Sequence, residues 1–381
     1  MTSGATPLTQ MLKLIPGQIV LGMPLPFGVR DENGQLLLAR GHLIATDAQL
    51  AALLARGVYA DAAEVEAAKN GRSDKVDTKR LTLFDLWEQA IWRLERVLKS
   101  LDHEPGFAQR CDEFAGQLMG LIDRDPDIAI YLSVRKDERR LAHYGLTHAL
   151  HCAVVCQLMG KRSGWADDRI RTLVKSALTM NLAIVELQGR YAVHGRLNEE
   201  QMAEIRRHPE QAVERLQAAG VDDARWLQTV LEHHERPGGG GYPRGLTEVS
   251  EDSNVLRLVD VFMAKISPRT SRPAIPIQDA ARQMYSETIG SPAAAAIIKE
   301  YGVYPPGNFV RLASGELAIV IRRGPTAMTP MAAAITDKTG VPTIQTKQRD
   351  TSLPMYAIKG AEPASALVQR VPPERLYGLV E

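Results

Sequence analysis

Along most of this chain apolar residues return every three or four positions, the period of a helix with one buried face. From Leu81 the stripe runs Leu83, Leu86, Ala90, Ile91, Leu94, Val97 and Leu98. The same spacing predicts helices near 107–122, 137–160, 167–187, 198–217, 222–235, 253–266 and 276–300. The two ends read differently. At 8–65, apolar runs around 19–25 and 36–39 flank the turn signal Asp31-Glu32-Asn33-Gly34, as expected of a small α/β module. A short helix should follow, with Asp47 ahead of Leu50, Leu53 and Leu54 and Gly57 as its C-cap. The polar stretch 69–79 reads as a linker. After Gly302, Tyr304-Pro305-Pro306-Gly307 ends the helical pattern, and 309–312 and 317–321 flank Ala313-Ser314-Gly315 as a hairpin. The expected architecture is mainly α: an all-helical domain over 80–300, with a small α/β module at 8–65 and a β-rich extension at 301–381.

Polar residues interrupt several stripes. Ile170, Val174 and Ala177 lead to Asn181 and then Ile184, so the amide of Asn181 is expected inside. Asn198, with Gln201 three residues on, predicts a capped helix whose stripe Met202, Ile205, His208, Ala212, Leu216 turns His208 inward. Trp226, Leu227, Val230 and Leu231 lead into His233 and His234; Leu256 leads to Asp260 and Met263; His148 follows Leu141 and Tyr144. Buried imidazole and carboxylate are costly without partners. One inward histidine is an ordinary core residue; five metal-competent side chains converging on one helical core point to a metal site or the vestige of one, the alternative being hydrogen-bonded core polar residues that bind nothing. Cys152 and Cys156 follow His148 at four-residue spacing and read as core thiols.

Charge adds little, since 46 Lys and Arg face 45 Asp and Glu. No global field favours a nucleic-acid polymer or a membrane, and an anionic ligand needs a local pocket. The three cysteines are too few for a disulfide framework and suggest a cytoplasmic protein. No apolar run approaches the roughly 18 residues of a membrane span.

The run His233-His234-Glu235-Arg236-Pro237-Gly238-Gly239-Gly240-Gly241-Tyr242-Pro243, with His208-Pro209 upstream and Leu258-Val259-Asp260-Val261-Phe262 downstream, closely resembles the HD-GYP domain. The resemblance covers about 137–290. It implies an all-helical bacterial signalling domain that holds two or three metals, usually iron or manganese, and hydrolyses cyclic di-GMP. By position it implies His148, His208, His233, His234 and Asp260 as metal ligands. It implies Arg269 and Arg272, with Gly241, Tyr242 and Pro243, as the lining of the nucleotide pocket. Where the family has its His-Asp pair, whose aspartate bridges two metals, this chain has Met180-Asn181. The family's next three residues, Ile-Gly-Lys, read Leu182-Ala183-Ile184, and the aspartate opening its glycine loop is Gly238.

Metal-assisted phosphodiester hydrolysis commonly uses two cations that share compensating charge. An asparagine oxygen is a poor bridge, and a thioether is unsuited to Fe(II) or Mn(II). The expectation is therefore one divalent ion (Fe, Mn or Zn) on His208, His233 and His234, with no binuclear centre and an empty second site keeping His148 and Asp260. Function is then expected in cyclic di-GMP signalling, through nucleotide binding or a protein partner, with hydrolysis impaired. Two alternatives differ from this. One is an active phosphodiesterase with a remodelled site recruiting His194 or His151. The other is an interaction module without a ligand.

Overall fold

The structure, a computed structural model, describes residues 11–14, 25–42, 44, 50, 53, 58–69, 82–135, 141, 143–363 and 371–378. Contacts divide the chain into two units, Met1–Leu81 and Thr82–Glu381. In the first, strands β1 (Met11–Lys13), β2 (Val29–Arg30), β3 (Leu36–Leu38) and β4 (Tyr59–Asp61) form an antiparallel sheet in the order β1-β4-β2-β3, followed by helix α1 (Ala62–Lys69). The hairpin joining β2 to β3 is the turn read from Asp31 to Gly34: Asp31 Oδ1 accepts from the Asn33 and Gln35 amides, and Gly34 takes the positive φ of 80°. The expected run at 19–24, the helix expected from Asp47 to Gly57 apart from Leu50 and Leu53, and the linker at 70–79 lie outside the described residues.

The second unit is a helical core. Its elements are α2 (Leu83–Lys99), α3 (Phe107–Arg124), α4 (Pro126–Val134), α5 (Tyr144–Arg162), α6 (Asp167–Thr179), α7 (Val185–His194), α8 (Glu199–Ala218), α9 (Ala224–Glu232), α10 (Glu251–Ile266), α11 (Ile277–Glu287) and α12 (Pro292–Tyr301). Helix α5 is apolar on nearly every face and is buried at Leu146, Leu150, Ala153, Val154, Val155 and Leu158, so the others pack around it. Capping follows the sequence: Asn198 and Gln201 form the reciprocal box at the start of α8. Met202, expected inside, is exposed, and burial on α8 begins at His208.

Three helical expectations need correction. The helix expected over 167–187 stops at Thr179; short turns bond Leu182 N to the Thr179 carbonyl and Ile184 N to that of Asn181 before α7 begins. No glycine or proline marks this break. It is held by packing: the Trp226 Nε1 donates to Thr179 Oγ1 (2.8 Å), and Gly145 lies so close to α7 that a Cβ there would be 2.8 Å from the Val185 carbonyl oxygen. The helix expected over 276–300 is two, separated at Gly290, whose φ is 81°, and restarted by the Ser291 cap with Pro292 in the first turn. Helix α4 was not expected, although Asp125 caps it through the Asp127 and Ile128 amides and Pro126 opens it.

The C-terminal sheet comprises β5 (Phe309–Leu312), β6 (Leu317–Arg322), β7 (Met331–Thr336), β8 (Pro342–Asp350) and β9 (Ile358–Glu362), antiparallel in the order β8-β7-β6-β5-β9. The expected hairpin is there, with Phe309 opposite Ile319 and Arg311 opposite Leu317. Alternate residues divide between two cores. Phe309, Leu317, Ile319, Ile321, Ala333 and Ile335 join the helical core, while Val310, Leu312, Ala318, Val320 and Ala332 form a second cluster on the other face. Arg323 reaches Asp127 and Glu300, and the short helix α13 (Pro373–Leu376) precedes Tyr377, which donates to the Ile321 carbonyl.

Candidate metal centre

His208 sits in α8 one residue before Pro209, and the order explains its orientation. Proline has no N–H to bond the carbonyl four residues back, so the Ile205 oxygen is free, and the His208 Nδ1 donates to it at 2.5 Å. His233 is the C-cap of α9, where the last carbonyls lack helical partners, and its Nδ1 donates to the Val230 oxygen at 2.6 Å. Both rings thus commit Nδ1–H to the backbone and turn Nε2 outward. The two Nε2 atoms meet 3.1 Å apart.

Lone pairs that face each other at that distance repel unless a cation lies between them. A proton is a poor choice. Burial, reinforced by His233, pushes His208 down to about 3, and burial also lowers His233 and, more strongly, His234. A divalent ion with nitrogens at about 2.0–2.1 Å separates adjacent donors by roughly 3.0–3.4 Å, so the observed spacing fits one. His234 completes the group: one ligand atom from each of His208, His233 and His234 lies within 4.8 Å of the others.

The glycine loop is built onto this triad. Glu235, 1% exposed, accepts from the amides of Arg244 (2.6 Å), Gly245 (3.1 Å) and Leu246 (3.0 Å), folding the loop back over the end of α9. Gly238, Gly239 and Gly240 all have positive φ. Gly241 is required for another reason: a Cβ would lie 2.5 Å from the Arg236 nitrogen and the Glu235 Cα. The turn lays Tyr242 on His234, ring centroids 4.5 Å apart, with Pro243 next to it. Glu232 anchors α9 to α10 by accepting from Ser253 Oγ at 3.0 Å.

His148 and Asp260 form a second group, from α5 and α10. Their Nε2 and Oδ1 are 2.7 Å apart, and the other carboxylate oxygen of Asp260 is 4.0 Å from His234 Nδ1. Burial alone would raise the Asp260 carboxyl; the hydrogen bond and charge of His148 overcome it and hold it below the usual range. Cys152, one turn after His148, places Sγ 3.6 Å from His148 Nε2, and the three donor atoms lie within 4.8 Å of one another. Unlike His208 and His233, the His148 ring is not held from behind, since its Nδ1 is buried without a hydrogen-bond partner.

Arg269 approaches this group through Tyr144, donating from Nη2 to the phenol oxygen at 2.6 Å, while Tyr144 stacks on His148 at 5.4 Å. Its Nε is buried and unpartnered. Arg272 instead donates to the Ala264 carbonyl near the end of α10. Met180 and Asn181 are both buried at the break between α6 and α7; the Nδ2 of Asn181 has no partner. His151 lines a cavity of about 110 Å³ beside His148 and is pushed down to about 3 by burial, then by His148. His194 is exposed at the end of α7. Among the described residues neither belongs to a metal-competent group. Sequence reasoning missed the part played by Glu235 and by Tyr144 and set Cys152 aside as core. The signals were the carboxylate directly after the histidine pair, and residues one turn either side of His148.

No helix among the described residues is long and apolar enough to cross a membrane. A family model described as "HD domain" matches residues 135–288. The cyclic di-GMP phosphodiesterase PA4108 of Pseudomonas aeruginosa is 31% identical over 141 residues, 36% of this chain and 34% of that protein. The cyclic di-GMP phosphodiesterase response regulator RpfG of Xanthomonas campestris is 26% identical over 140 residues, 35% of this chain and 36% of the relative. This chain thus matches about a third of the length of these curated relatives. Among solved structures, the HDG"Y"P protein Bd1817 of Bdellovibrio bacteriovorus aligns with a TM-score of 0.49 at 13% identity, covering 75% of this chain and 98% of that one. The region 135–288 is thus matched as an HD domain, and its histidine triad, its Gly-Tyr-Pro loop and these sequence relatives support the HD-GYP family.

Proposed function

We propose that this protein works in cyclic di-GMP signalling as a nucleotide-binding regulator with impaired hydrolysis. The observation that carries the reading is the buried Met180-Asn181 pair, standing where the family's bridging His-Asp would be. Neither side chain supplies the negative charge that two neighbouring dications need to share. Asp260, the carboxylate that remains, is engaged by His148. The binding half is better preserved. His208, His233 and His234 suit one divalent ion, Fe(II), Mn(II) or Zn(II), which when bound supplies Lewis-acid polarisation of a phosphoryl oxygen.

The chain's own residues would do the rest. Arg269, with a buried Nε still to be paired, offers a guanidinium donor to a phosphate. Tyr242 and the glycine loop close one side of the triad. Burial and then the charge of Asp260 raise the Tyr242 phenol, while Arg206 and Arg236 oppose the rise, so charge of both signs borders this side. Arg272, committed to a backbone carbonyl, would contribute mainly by holding its segment in place. The reading makes the protein a cytoplasmic one that passes its bound state to a protein partner. The intact triad also supports a second reading, slow hydrolysis at a single ion.

Calorimetry on the metal-loaded full chain with cyclic di-GMP tests the binding claim. Binding in the micromolar range that weakens about tenfold or more in Arg269→Ala is expected, the loss of a charged hydrogen bond. Absence of binding at high micromolar nucleotide would remove the nucleotide-binding reading.

A further inference from the structure

We infer that His148, Cys152 and Asp260 form a zinc site of their own, in which the Cys152 thiolate has taken over ligation that the missing His-Asp pair no longer provides. The site shares no donor with the histidine triad, although the second carboxylate oxygen of Asp260 lies 4.0 Å from His234 Nδ1. The inference goes beyond nucleotide binding and does not depend on it.

The geometry is that of a chelate. His148 and Cys152 are four residues apart on α5 and present their donors on one face; Asp260 enters from α10. A tetrahedral zinc ion, with Zn–S about 2.3 Å and Zn–N about 2.0–2.1 Å, separates its sulfur and nitrogen by about 3.5 Å. The observed separation of Sγ and Nε2 is 3.6 Å. The 2.7 Å between Nε2 and Oδ1 is a hydrogen-bond spacing, so that pair must open by roughly half an ångström to share a tetrahedral ion. All three donors are buried or nearly so, with Cys152 fully buried. A cysteine serving only as packing would face hydrocarbon, whereas this sulfur faces an imidazole nitrogen with a carboxylate behind it.

The donor set also selects the metal. One thiolate, one imidazole and one carboxylate with an open fourth position suit zinc, while the hard Fe(II) and Mn(II) ions gain little from sulfur. On binding, the Zn–S bond forms as the Cys152 S–H bond breaks, and the proton leaves to solvent. The hydrogen bond from His148 Nε2 to Asp260 breaks too: in the neutral ring the Nε2 proton passes to Nδ1, and the freed Nε2 lone pair ligates. That N–H has no protein partner in place, so this site should hold its ion less tightly than the triad, where both Nδ1 donors are already satisfied.

Cobalt(II) titration of the metal-free full chain tests the inference, because a cobalt–thiolate bond has its own charge-transfer absorption in the near ultraviolet. The wild type is expected to develop that band. Cys152→Ser should lose it together with about one bound ion per chain, Cys156→Ser should keep it, and His233→Ala should keep it while losing the triad's ion. Cys152→Ala, with circular dichroism to confirm the helical fold, guards against an unfolding effect of serine. A band that survives in folded Cys152→Ala, or cobalt binding by the wild type without a band, would overturn the inference. Neither result bears on whether cyclic di-GMP binds.

Discussion

Pro209 shows how much a single residue sets up here. By having no N–H it leaves the Ile205 carbonyl to His208, which fixes the ring's tautomer and points Nε2 at His233. The same arrangement makes the metal-free protein acid-sensitive. His208 is pushed from its ordinary 6.5 down to about 3 by burial and by His233. Between those values the unfolded chain takes up a proton that the folded chain refuses, so stability is complete above about pH 6.5 and falls as pH drops toward 3. Asp260, held low by His148, adds a loss of the same sign below the ordinary carboxylate value. The thermal midpoint of metal-free protein should therefore be lower at pH 5 than at pH 7.5; an equal or higher midpoint at pH 5 would contradict the assignment. The inward polar residues were legible in the sequence because each interrupted an apolar stripe, and His208, Asn181 and Asp260 are indeed buried. Cys152 was not, because a thiol on an apolar stripe looks like any other core residue until the carboxylate of Asp260, 108 positions later in the chain, is placed beside it.

At the scale of elements, the loop after α9 is fixed from below by Glu235 and from within by the absence of a side chain at Gly241. Gly241→Ala drives a Cβ to 2.5 Å from backbone atoms that cannot yield locally. It should cost about 1–3 kcal/mol, as other overpacked substitutions do, and should displace Tyr242 from His234. Gly240→Ala meets no atom within 4 Å and strains only its φ of 78°, an expected loss of about 1 kcal/mol. Urea midpoints of the two variants check the order, and a larger loss in Gly240→Ala would contradict it. The glycine run and its Gly-Tyr-Pro end are written locally and could be read, whereas the Glu235 anchor and the close approach at Gly241 exist only once the loop has folded back on itself. The restart at Ser291-Pro292 was equally local, but the apolar period continues across it and masks the cap. The break at 180–184 has no local mark at all, since Trp226 and Gly145, remote in sequence, impose it.

Across the whole second unit, the C-terminal sheet shares its inner face with the helices, as Ile319, Ile321 and Ala333 join the core around α5. Strand composition and the hairpin turn were visible beforehand, but strand order and the shared core depend on non-local pairing that periodicity does not encode. The two metal-competent groups have the same origin: each is gathered from segments distant in sequence. On the proposed reading the missing bridge limits hydrolysis while the triad persists. Turnover of cyclic di-GMP, measured anaerobically with Mn(II) or Fe(II) on the native chain and on the double variant Met180→His/Asn181→Asp, tests this most directly. A gain of roughly a hundredfold or more is expected in the variant, from restored charge sharing between two ions. Native turnover as fast as that of a folded, metal-loaded variant would contradict it.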